Sequence, residues 1–140
     1  MLHGTSNWIP AALLLTVGTG GRAAGSTIAD LKADWSNSAN PNSHASGTWS
    51  YTQSTAPLSF VSPWAGDPSA NLSGWGPAAN VPGDFLPFMF QTPIVYFDSQ
   101  PGDVIVHSTD NANGSGNGVA VILWTSGVSG NVDIVGSLWP

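Results

Sequence analysis

Charge is almost missing from this chain, and that restricts its fold more than any other feature. Of 140 residues, two are basic and eight are Asp, with no Glu at all. Charged residues make up 7% of the sequence, against about 25% in an ordinary soluble domain. Surface polarity must therefore come from Ser, Thr and Asn. These side chains bond to nearby backbone and favour turns and caps over helix interiors. The strong polar helix formers are nearly absent, which excludes a coiled coil or a helical bundle. Charge-driven disorder is excluded as well, because 41% of residues are hydrophobic and seven are Trp. Two basic side chains cannot neutralise a phosphate backbone, so a nucleic-acid partner is excluded. What remains is a turn-rich, aromatic-rich β domain.

The length suits one domain. There is no Cys, which removes a disulfide framework, a thiolate zinc site and a Cys nucleophile. Residues 1–25 read as a signal peptide. An apolar run from Ile9 to Val17 is followed by small residues, and Ala23-Ala24-Gly25 would suit cleavage before Ser26. The competing reading is an apolar first strand. The run is too short for a membrane span, which needs about 20 apolar residues. Residues 26–140 are then the β domain, and the protein is expected to be secreted or held at the cell surface.

Strand patterns recur along that domain. Ala29 to Trp35 alternates with period 2, with a short helix capped by Thr27 as the alternative. Thr48 to Thr52, Leu58 to Val61, Phe88 to Gln91, Ile94 to Phe97 and Val104 to His107 read as further strands. Val119 to Thr125 is nearly continuous in apolar residues and is expected at the centre of a sheet. Asn131 to Leu138 alternates again. Asn37 to Gly47 is a polar loop with an Asn40-Pro41 turn signal. Ser62 to Pro87 is a long Pro/Gly-rich connection in which no period survives. Gln100-Pro101-Gly102-Asp103 matches a type II turn. Short strands between turn signals predict an all-β antiparallel sandwich of jelly-roll type.

Several landmarks resemble a known group. Asn40-Pro41-Asn42 with Gly47-Thr48-Trp49-Ser50-Tyr51, then Val104-Ile105-Val106-His107, then the run from Val119 to Trp139 occur in this order. They resemble the secreted β-sandwich domains of bacterial PEP-CTERM-type exported proteins, which look like jelly-roll or galactose-binding-like modules. The resemblance spans about Asp30 to Trp139 and implies a fold, with no settled activity. This chain departs from it at Ser43 to Ser46, which are extra, at Ser108-Thr109, and at Leu123, where an Arg is usual. Similar domains continue past the last matched strand, so the resemblance allows a sandwich that lacks its final strands and exposes a sheet edge.

Chemistry is sparse. His44 and His107 have no zinc-ligand spacing. No Gly-x-Ser-x-Gly elbow occurs, and without Glu a pair of catalytic carboxylates has no support, so no enzyme is expected. The Gly-rich stretch Gly114 to Gly118 lacks the Lys and the register of a phosphate loop. The stretch from Asp110 to Gly118 fails the EF-hand register, and any calcium site would draw on Asp34, Asp103 and Asp110. The aromatics suggest more. Trp64 and Trp75 in the long connection could stack sugar rings, or could fold down over the sandwich. The expected role is a non-catalytic module binding an extracellular glycan or surface polymer. Trp64, Trp75, Trp49 and Tyr51 would stack, and Asp110, Asn111 and Asn113 would bond hydroxyls. The alternative is a structural domain of an exopolymer-associated surface protein, with no small-molecule site.

Overall fold

The computed structural model describes residues 27–41 and 47–136. The expected signal segment, His44 and Trp139 lie outside them. Seven short strands form: β1 (Thr48–Gln53), β2 (Ala56–Pro57), β3 (Ser59–Val61), β4 (Gly74–Gly76), β5 (Phe88–Gln91), β6 (Val104–His107) and β7 (Ala120–Thr125). A 3-10 turn, Pro68–Ala70, is capped by the Asp67 carboxylate. The fold is all-β, with two antiparallel sheets ordered β2-β1-β7 and β3-β4-β5-β6. Leu58 sits between β2 and β3, where the chain passes from one sheet to the other, and it is buried.

Strand alternation explains the packing. On β1, Trp49 and Tyr51 share a face with their cross-strand partners Trp124 and Ile122 on β7. Tyr51, Leu58 and Ala120 meet Trp75 and Met89 of the other sheet, with Val106 and Ile122 packed alongside. This is the core between the sheets. The four-stranded sheet buries its other face too. Phe88 and Phe90 point away from Met89 and form a second cluster with Val61, Trp64, Leu72 and Leu86. Trp64 lies flat on Phe88, with centroids 4.5 Å apart and planes 4° from parallel. Gly74 and Gly76 make room for these rings: a Cβ at Gly74 would fall 2.2 Å from the Met89 carbonyl oxygen and 2.7 Å from Phe90 Cβ.

Four expectations need correction. Ala29 to Trp35 is a turn, because Asp30 diverts the backbone from pairing. Its carboxylate accepts the N–H groups of Lys32 and Ala33, and its carbonyl accepts that of Asp34 at 2.7 Å. Ile94 to Phe97 yields only a tight hairpin, in which Tyr96 and Ser99 exchange backbone bonds around Phe97 at φ +50°. The apolar strand β7 pairs with β1 alone and lies at a sheet edge. Residues 131–136 form no ladder; 137 and 138 lie outside the described residues. The turn at Gln100 to Asp103 forms as its residues dictate, with Gly102 at φ +90° and Asp103 N–H on the Gln100 carbonyl.

Candidate functional site

The segment from Asp30 to Pro41 crosses the inter-sheet core and builds one wall of a pocket. Its shape follows from short polar side chains. Asp34 returns a bond to Asp30 N–H at 2.9 Å, so the turn is closed reciprocally, much as a capping box closes a helix start. The Ser36 hydroxyl accepts from the N–H groups of Ser38 and Ala39 and turns the chain again. The segment is then fastened to the sandwich. Lys32 pairs with Asp103, Gln91 Nε2 donates to the Lys32 carbonyl, and Trp75 Nε1 donates to the Ser36 carbonyl at 2.8 Å. At its end, the Asn40 amide accepts Tyr51 N–H and donates to the carbonyls of Tyr51 and Leu58.

Between this segment and β1 is an open pocket of about 280 Å³, lined by Asp34, Ser36, Ala39, Pro41, Gly47, Thr48, Trp49 and Tyr51. That is close to the lower end of the ~300–1,000 Å³ typical of small-ligand sites. Trp49 Nε1 donates to Asp34 at 3.1 Å. The Tyr51 ring is clamped by Trp35 at 4.7 Å and stacked on Trp75 at 5.5 Å. Tyr51 is 1% exposed, and its hydroxyl is buried without a hydrogen-bond partner. A phenol can both donate and accept, and a buried one left unpaired costs about 1–3 kcal/mol. Burial pushes the phenol above its ordinary value; the nearby Ser36 backbone partly offsets this, and the Asp34 charge adds to it. Tyr51 is therefore neutral at physiological pH and keeps its proton to donate.

The residues singled out from sequence separate into three groups. Trp49 and Tyr51 meet at the pocket. Trp64 and Trp75 are 6% and 4% exposed, and neither offers a free face for a sugar ring. The reason is that the four-stranded sheet is apolar on both faces, and these two indoles close one face each, with Trp64 Nε1 donating to the Phe85 carbonyl. Asp110, Asn111 and Asn113 are not among the pocket-lining residues. Asp110 accepts from the N–H groups of Ala112 and Asn113 and from the Asn113 amide, which makes it the organiser of its own turn. Asn111 is exposed on that turn. The loop is anchored through Asn117, which donates to Asp84 and to the Leu86 carbonyl.

The suggested calcium donors do not converge. Asp34 bonds Trp49, Asp103 bonds Lys32, and Asp110 bonds its own loop. Among the described residues no group of three His, Cys, Asp or Glu side chains is placed to hold a metal ion. None of the described helices is long and apolar enough to cross a membrane. Ser36 and Asn40 were not singled out from sequence as site residues. The Asn40-Pro41 turn signal marked the position of Asn40, while its bonds to a strand 11 residues away carry no sequence signature. In comparisons with known proteins, no family model, no curated protein and no solved structure matches this chain.

Proposed function

We propose that this protein is an exported, non-catalytic binding module that holds one sugar residue of an extracellular glycan in the pocket between Asp30–Pro41 and β1. The observation that carries this reading is the open pocket itself, where the Trp49 indole lies beside neutral polar groups. Trp49 supplies an indole for the apolar face of a sugar ring, Thr48 and Ser36 are the neutral polar groups, and the lining includes a single carboxylate, Asp34. Export is supported by the sequence pattern of residues 1–25 and by the resemblance to secreted β-sandwich domains.

The test is a screen of immobilised glycans followed by titration of the full chain and two variants. Tyr51→Phe removes a buried hydroxyl. It is expected to raise the Tm of the free protein by a few degrees and to leave glycan affinity within about twofold of the parent. Trp49→Ala is expected to abolish binding. The reading fails if no glycan binds, or if Trp49→Ala binds as tightly as the parent chain.

A further inference from the structure

The charge around the pocket narrows the class of sugar. Asp34 is on the lining and has no cationic partner there. Lys32, the one Lys or Arg among the described residues, is two residues away but turned to Asp103. The two N–H groups on Asp34, from Asp30 and Trp49, both reach Oδ2. A carboxylate offers about four acceptor positions, and Asp34 is exposed, so Oδ1 retains capacity for a further donor. Trp49, on the same lining, adds the negative face of its ring. A carboxylate with spare acceptor capacity beside an indole forms a recognition set for a cation carried on a polyol.

We propose that the pocket selects an amino sugar with a free ammonium group, as in a de-N-acetylated polysaccharide, over neutral or N-acetylated sugars. Asp34 takes the ammonium, and Trp49 covers the apolar ring face. This rests on the glycan-binding reading above and adds the charge of the ligand. The ammonium replaces water on Oδ1 without displacing the bonds that shape the wall. Acetylation would remove the positive charge and add bulk beside a carboxylate that then has no partner to gain.

The experiment is calorimetric titration of the full chain at physiological salt with three tetrasaccharides: a glucosamine oligomer, its N-acetylated form and a glucose oligomer. The glucosamine oligomer is expected to bind roughly fivefold tighter than the other two, the upper range for a solvent-accessible carboxylate–ammonium pair. Asp34→Asn keeps an acceptor oxygen for the wall and is expected to erase the preference. Asp133→Asn makes the same change of net charge at an exposed site off the pocket lining, and is expected to keep the preference. The ammonium assignment is overturned if the three oligomers bind equally, if Asp34→Asn keeps the preference, or if Asp133→Asn loses it, since that would reflect the overall charge of -6. Failure of all three oligomers to bind would instead overturn the glycan-binding reading itself.

Discussion

The side-chain amide of Asn40 closes the backbone of Tyr51 on both sides, accepting its N–H at 2.8 Å and donating to its carbonyl at 2.7 Å. Asn40 thus acts as one residue of a missing strand where β2 ends and the chain leaves for the other sheet. It also reaches the Leu58 carbonyl at 2.8 Å, so one side chain bonds three backbone groups at the sheet junction.

Replacing Asn40 tests this. Asn40→Ala leaves the Tyr51 N–H and the Leu58 carbonyl without this partner, while the Tyr51 carbonyl keeps the Leu58 N–H at 3.0 Å, and the change is expected to cost about 2–3 kcal/mol. Asn40→Asp keeps the acceptor but sets a carboxylate against two carbonyls, and is expected to cost at least as much. Urea unfolding followed by Trp fluorescence reads both. An Asp variant as stable as the parent would show that the two donated bonds contribute nothing.

Trp64 and Trp49 should respond in opposite ways. Trp64→Ala removes the stack on Phe88 and opens a cavity in the second core cluster, and is expected to cost about 3–5 kcal/mol with glycan affinity unchanged below the melting transition. Trp49→Ala is expected to cost about 1 kcal/mol and to remove binding. Parallel thermal melts and titrations separate the two. Loss of affinity in a folded Trp64 variant would mean that the second cluster carries the ligand.

Gly74 is fixed by close approach. With Ala there, the new methyl meets backbone of β5, so β4 must shift, at a cost of about 3 kcal/mol. Gly116→Ala is the control, since nothing lies within 4 Å of the added carbon, and it is expected to leave the midpoint unchanged. Equal midpoints for the two variants would show that the sheet absorbs the methyl.

Acid should unfold this protein through three carboxylates. Lys32 and the Gln100 N–H hold Asp103 below its ordinary value of 3.8. The Ser69 hydroxyl, with Ala70 N–H and Tyr96, does the same for Asp67. For Asp110, burial acts upward but is outweighed by bonds from Ala112 and Asn113. A carboxylate lowered in the folded state stabilises it above the unfolded value, and that contribution is lost as pH falls through the lowered range. Tm is expected to be flat above about pH 5 and to drop steeply below about pH 4. Asp103→Asn is expected to lower Tm at neutral pH and to flatten the acid decline. An unchanged decline would remove Asp103 from this account.

How much of this could be read in the sequence depends on the range of each interaction. The β class followed from composition, and β1, β5 and β6 followed from local alternation of residues such as Trp49, Tyr51 and Met89. The type II turn followed from Pro101 and Gly102. The helix-or-strand ambiguity at Ala29 to Trp35 was settled by two Asp side chains, which periodicity does not weigh. β4 was hidden because Gly74-Trp75-Gly76 resembles loop composition. Its glycines are there for Phe88 and Phe90, 12 or more residues away. The same long range left Trp64 and Trp75 open between stacking a ligand and folding down over the sandwich, since burial of an indole depends on an apolar face elsewhere in the fold. Trp49 and Tyr51, on β1, both line the pocket.

The pairing of β1 with β7 has a further consequence, for the order in which the molecule is built. The strand carrying Trp49 and Tyr51 meets its main partner only after the chain has closed a loop of about 70 residues. The four-stranded sheet can be joined from shorter hairpin-like excursions, whereas the three-stranded sheet waits for distant segments to find each other. The pocket wall rests on that late sheet through Asn40. The pocket would therefore be completed last as the chain folds, after the four-stranded sheet beneath it has formed.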